Sequence, residues 1–118
     1  MTVRQTLLIV DDHEDFRVSA RTLLELEGFD VVGTAASGEE AIPEAERLHP
    51  DVVLLDVQLP GMDGFAAAEI LADSVPDSRV VLISSRARSA YEGPLGRARV
   101  AGFLGKHELS GAALAALV

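Results

Sequence analysis

Cysteine is absent from the 118 residues, which excludes disulfides, thiolate zinc sites and cysteine nucleophiles at once. Basic residues are scarce: ten Lys and Arg stand against 19 Asp and Glu, for a formal net charge of -9. Such a balance repels phosphate backbones, so this stretch is not expected to contact DNA or an anionic membrane directly. Long apolar runs are also missing. Leu7 to Val10, after the polar stretch Met1 to Thr6, is far too short for a signal peptide, and no segment could span a bilayer. A cytosolic protein is the expectation. There is no internal repeat, linker or low-complexity tract, and 118 residues suffice for one hydrophobic core but not two.

What is present is an ordinary globular mixture, 48% hydrophobic and 25% charged, with apolar clusters and helical patterns in alternation. Leu7 to Val10 reads as a buried strand ending in Asp11-Asp12. Phe16, Ala20, Leu23 and Leu24 follow at helical spacing, with Gly28 where a C-cap glycine belongs. Val31 to Ala35 makes a weaker strand. Ser37-Gly38-Glu39-Glu40 opens a second helix toward Leu48, with Pro43 inside it to remove a hydrogen bond or kink it. Val52 to Asp56 is the clearest strand, apolar on both faces until its final carboxylate. A Pro60-Gly61 turn precedes Asp63, a cap for a short helix through Ala72. Val80 to Ile83 and Val100 to Leu104 complete five strands, and Gly111 to Val118 forms an alanine-rich last helix. Arg86 to Arg99 is the poorest helix candidate, since Gly93-Pro94 interrupts it; a short or displaced fourth helix is expected there.

Apolar strands separated by helix-length segments imply a single α/β domain: a doubly wound parallel sheet in three layers. Ligands bind such sheets beyond the carboxyl ends of the strands. At that rim stand Asp11-Asp12, Asp56 and Ser84, after the first, third and fourth strands, and Lys106 after the fifth. Each alone has a bland explanation as a turn former, helix cap or surface charge. Together they do not. Three converging carboxylates repel one another, and a bound cation removes that cost. Mg2+ takes oxygen ligands and keeps several waters, so it suits Asp11, Asp12 and Asp56. An ionised aspartate is an oxygen nucleophile toward phosphorus, and phosphoryl transfer asks mainly for positioning and charge neutralisation. The metal, the Lys106 ammonium and the Ser84 hydroxyl would each take one phosphoryl oxygen.

Four stretches, Leu8 to Asp12, Val53 to Gly64, Val81 to Ser85 and Gly102 to Lys106, together resemble the receiver domains of bacterial two-component response regulators over essentially the full length. The resemblance implies the strand order 2-1-3-4-5 and phosphorylation of Asp56 by a sensor histidine kinase, with small donors such as acetyl phosphate as substitutes. It implies direct ligation of Mg2+ by Asp12, ligation by Asp11 through water, and a further ligand in the Gln58 carbonyl. Ser84 and Phe103 correspond to the family's switch pair, whose movement repacks the face of the fourth helix, fifth strand and fifth helix and offers it for a homodimer. Gln58 and Arg86 lie near the phosphoryl group by the same resemblance. Such a receiver phosphorylates and slowly dephosphorylates itself and is not a turnover enzyme on an external substrate.

Three departures stand out. Phe103 lacks the hydroxyl of the tyrosine many relatives carry, His107 replaces a common proline after Lys106, and Gly93-Pro94 falls in the fourth helix. His13 is expected to be an exposed residue at a helix start, His49 a loop residue and His107 a surface residue. A phosphatase of the haloacid dehalogenase type would want an aspartate where Gln58 stands, and no nucleotide-binding glycine motif occurs. A degenerate receiver serving only as an interaction module is the remaining alternative, although every key acid is present. The last helix reaches the end of the sequence after about two turns. It is therefore expected to be truncated, and the features resemble receivers that precede a helix-turn-helix DNA-binding domain.

Overall fold

Alternate residues of the strands go to opposite faces of one sheet, and both faces are covered. This is the arrangement of a computed structural model describing residues 3–118; Met1 and Thr2, part of the polar start of the sequence, lie outside the described residues. Strands β1 (Thr6–Val10), β2 (Asp30–Ala35), β3 (Val52–Asp56), β4 (Arg79–Ser84) and β5 (Gly102–Gly105) pair in parallel in the order β2-β1-β3-β4-β5. Leu7, Ile9, Val52, Leu54, Val81 and Ile83 face helix α1 (Glu14–Leu26) and α5 (Gly111–Ala115), meeting Ala20, Leu24 and Leu114. Leu8, Val10, Val53, Leu55, Val80 and Leu82 face α2 (Gly38–Leu48) and α3 (Gly64–Ser74), meeting Ala41, Ala45, Ala67 and Leu71. Apolar burial on both sides explains why these strands read as continuous hydrophobic runs.

Local chemistry sets the helix ends. The Ser37 hydroxyl accepts from the Glu40 N–H at 3.1 Å, and the Glu40 carboxylate accepts from the Ala36 N–H at 2.8 Å. The Asp63 carboxylate caps α3 at the Ala66 N–H (2.9 Å), and the Ser110 hydroxyl caps α5 at the Ala113 N–H (3.0 Å). After α1, Gly28 takes φ 108° and the Phe29 N–H returns to the Leu24 carbonyl, a left-handed helix ending that favours glycine. Helix α2 continues unbroken through Pro43.

The departures from the sequence expectation that matter most lie at the C-terminal end, where the fourth helix is short, as expected, but for a different reason. Strand β5 begins at Gly102, not Val100: pairing to β4 starts at Val81↔Gly102, although the Ala101 N–H already reaches the Val80 carbonyl at 2.7 Å. Helix α5 stops at Ala115, before the expected Val118. Gly93-Pro94 does not interrupt the fourth helix. It sits in the first turn of α4 (Glu92–Arg97), behind a 3-10 turn over Arg88–Tyr91. In a first turn the N–H that proline lacks has no helical partner to lose.

Candidate functional site

Parallel register brings the strand ends side by side. Val10 pairs with Leu55, Asp56 with Ile83, and Ser84 with Gly105. Asp56 and Ser84 are therefore the last residues of two adjacent central strands, and Asp11 and Lys106 each follow the last residue of theirs. The Asp11 N–H extends the ladder to the Ala35 carbonyl at 3.0 Å. The backbone alone fixes four functional groups at one rim.

Asp11, Asp56 and Ser84 are the buried polar side chains at this edge. Asp11 Oδ1 accepts from the His13 N–H at 2.8 Å, while Oδ2 lies 2.6 Å from the Lys106 ammonium. Asp56 Oδ1 accepts from the Gln58 N–H at 3.2 Å, and Oδ2 lies 3.5 Å from Lys106 Nζ. Lys106 thus bridges the two acids, and its ammonium also lies 4.4 Å from the centre of the Phe16 ring, within cation–π range. Burial, then the charge on Asp11, pushes the Asp56 pKa up from 3.8 to about 6, against the opposing pull of Lys106. Burial works against the Lys106 charge, but proximity to Asp11 and the charges of Asp56 and Asp11 outweigh it and hold its pKa above the ordinary lysine range.

Asp11, Asp12, His13 and Asp56 each offer a ligating atom, all within 4.8 Å of one another. Asp12 is the solvent side of this group, its side chain 34% exposed. His13 is exposed at the N-cap of α1, as expected, but it is not merely a surface residue. Its Nδ1 lies 3.1 Å from Asp11 Oδ1 and 3.2 Å from Asp12 Oδ1. Gln58 and Arg86 have exposed side chains beside the rim, whereas His49 caps α2 in a left-handed conformation (φ 46°).

The Ser84 hydroxyl accepts from the Arg86 N–H at 3.0 Å and is hydrogen-bonded to the Tyr91 hydroxyl at 2.8 Å. Tyr91 is itself buried, tilted against Phe65 of α3 (5.8 Å between ring centres) and Phe103 of β5 (5.9 Å). Sequence reasoning paired Ser84 with Phe103 and passed over Tyr91. The chain's single tyrosine, seven residues beyond Ser84, was the available signal. Phe103 is already turned inward, 8% exposed.

A doubly wound parallel sheet carrying an acidic cluster and one bridging lysine at its carboxyl rim defines a class of α/β domains with a charged switch-point site. Comparison with known proteins narrows the class. The family model for the response regulator receiver domain matches residues 7–117. Response regulator GacA of Pseudomonas viridiflava is 41% identical over 113 residues, 95% of this chain and 51% of that protein. The signal receiver domain of the response regulator NarL from Mycobacterium tuberculosis has a TM-score of 0.84 at 32% identity, over 98% of both chains. A LuxR-family two-component response regulator from Aurantimonas sp. SI85-9A1 reaches 0.86 at 28% identity, over 98% of this chain and 86% of that one. The chain belongs to the response regulator receiver domain family and is a signalling module of the two-component type. It spans about half the length of the curated relatives it matches. Among the described residues, no helix is long and apolar enough to cross a membrane.

Proposed function

We propose that Asp56 is the phosphoacceptor, taking its phosphoryl group from the phosphohistidine of a sensor histidine kinase. The observation that carries this reading is a buried carboxylate ending the central strand β3, with a lysine ammonium 3.5 Å away and two further acids beside it. Even with its pKa raised to about 6, Asp56 is mostly ionised at neutral pH and able to act as a nucleophile. Its oxygen attacks phosphorus; the P–N bond breaks with its electron pair returning to the imidazole, and an aspartyl phosphate forms. The Lys106 ammonium and the Ser84 hydroxyl would each hold a phosphoryl oxygen. The chain would act only on itself, one phosphoryl group per molecule.

The donor set fits Mg2+. It is rich in carboxylate oxygen, and among the described residues Asp11 Oδ2 is buried with no hydrogen-bond partner apart from the nearby Lys106 ammonium. Asp11, Asp12 and Asp56, with the Gln58 carbonyl, would hold the ion. When bound it supplies charge neutralisation at the transferring oxygens. The intact protein is read as cytoplasmic, with an output domain that binds DNA, and as able to pair through the face of α4, β5 and α5. The greater length of the curated relatives supports a further domain.

Incubation with acetyl phosphate and Mg2+ followed by intact-mass measurement tests the acceptor. The wild-type chain is expected to gain one phosphoryl group, and Asp56→Asn none, with an unchanged far-UV spectrum. A phosphoryl group on the folded variant would place the acceptor elsewhere.

A further inference from the structure

Phe103 has no hydroxyl with which to follow Ser84, but Tyr91 does. Building on the reading of Asp56 above, we propose that Tyr91 is the positioning residue that couples the phosphoryl site to the α4 segment. Its phenol holds the Ser84 hydroxyl, and recruitment of that hydroxyl by a phosphoryl oxygen frees Tyr91 and the start of α4.

A serine hydroxyl has one proton and two acceptor sites. The Arg86 N–H occupies one acceptor site of Ser84 at 3.0 Å, and the Tyr91 hydroxyl is its other partner at 2.8 Å. Ser84 is fully buried, so the exchange of partners takes place away from water, where each hydrogen bond counts most. Turning the Ser84 hydroxyl to a phosphoryl oxygen draws its oxygen away from Tyr91, whichever of the two hydroxyls donates. The ring keeps its apolar packing, including Phe65 and Phe103, but its hydroxyl loses the Ser84 partner.

The segment downstream magnifies that loss. Across residues 85–102 Tyr91 alone is buried; every residue of α4 is partly or fully exposed. Helix α4 has six residues, including Gly93 and Gly96, and no side chain hydrogen-bonds at its N-cap, which is Tyr91 itself. A helix this short and glycine-rich does not stand without tertiary anchorage. Tyr91 is its one buried anchor, joined by the partly buried Leu95, so the Tyr91 hydrogen bond bears directly on the order of Arg88 to Arg97.

The chain contains one tyrosine and no tryptophan, so its near-ultraviolet tyrosine signal reports Tyr91 alone. Wild-type protein is loaded with acetyl phosphate and Mg2+ and checked by mass. Its tyrosine circular dichroism should then change, and amide exchange across residues 86–99 should quicken. Tyr91→Phe keeps the ring and removes the hydroxyl. Before any phosphorylation its exchange in that segment should be about two- to tenfold faster than wild type, the worth of one neutral hydrogen bond. Phosphorylation should then quicken it little further. The proposal is overturned if phosphorylated wild type keeps the tyrosine signal and exchange of the free form, or if Tyr91→Phe matches wild type in both states. Absence of any phosphoryl mass would overturn the Asp56 reading, and this one with it.

Discussion

The rim around Asp56 and the segment from Arg86 to Arg99 are neighbours built to opposite specifications. At the rim every residue of β3 is buried, and Asp11, Asp56 and Lys106 are tied by ion pairs. In the neighbouring segment one tyrosine is buried, and the helix it starts has six residues. Group transfer needs reacting atoms held within fractions of an ångström, and only a packed sheet edge does that. A conformational response needs an element of low local stability, which a small change can shift. The contrast separates chemistry from response, and substitutions on either side of it should behave differently.

The largest effect on stability is expected at Gly64, the first residue of α3. A Cβ there would collide with the Asp56 carbonyl oxygen and come within 2.7 Å of Val57 Cα, both backbone atoms that cannot swing away. Gly64→Ala should therefore destabilise the fold by about 2–4 kcal/mol, in the range of severe overpacking, and displace Asp56. Urea unfolding and phosphoryl uptake measured on one sample should fall together. Uptake that survived intact would mean the rim tolerates more movement than its packing implies.

A smaller effect follows from the electrostatics of the same rim. Burial, and then Asp11, raise the Asp56 pKa to about 6, so between roughly pH 4 and pH 6 the folded chain keeps a proton that the unfolded chain gives up. The Asp56 contribution to stability is thus complete at low pH, is lost as pH rises through about 6, and stays lost above it. Without divalent cations, Asp56→Asn should remove this slope and be more stable than wild type at pH 7 by about 1–2 kcal/mol. The wild-type minus variant difference across pH 4 to 8 isolates this group from the other acids. A difference that did not vary with pH would show Lys106 to compensate fully for burial.

The two regions also differed in how far the sequence revealed them. The strands were legible because β1, β3 and β4 are apolar on both faces, and the rim was legible because carboxylates and a serine end them. Strand-end position is a local property, so Asp11, Asp56, Ser84 and Lys106 could be grouped before any coordinates. Pairings that depend on side-chain reach were not legible. Nothing local shows Lys106 closing on Asp11 at 2.6 Å, or His13 Nδ1 turning to the acids. The α4 segment was the least legible part. It lacks apolar periodicity, and Gly93-Pro94 suggests a break, when its first-turn placement makes the proline harmless. Tyr91 was hidden for the same reason: its role comes from three partners on other strands and helices.

The smallest predicted effect tests the low stability of α4 directly. Gly96 lies within that helix, and a Cβ built on it meets no atom within 4 Å. Replacing a helical glycine by alanine at a position without steric conflict narrows the unfolded ensemble and favours the helix by about 0.5–1 kcal/mol. Gly96→Ala should therefore leave global unfolding almost unchanged yet slow amide exchange across Arg88 to Arg97 by about two- to fivefold. If α4 is the element that yields when Asp56 is phosphorylated, the same substitution should oppose the yielding. The tyrosine signal of the phosphorylated variant should then lie closer to that of the free form. Because a Cβ at Gly96 reaches no atom of the rim or of Tyr91's aromatic partners, a slower phosphoryl uptake in Gly96→Ala would show that α4 and the acceptor are thermodynamically linked. Exchange in α4 no slower than in wild type would mean that the glycines are not what keeps this helix weak.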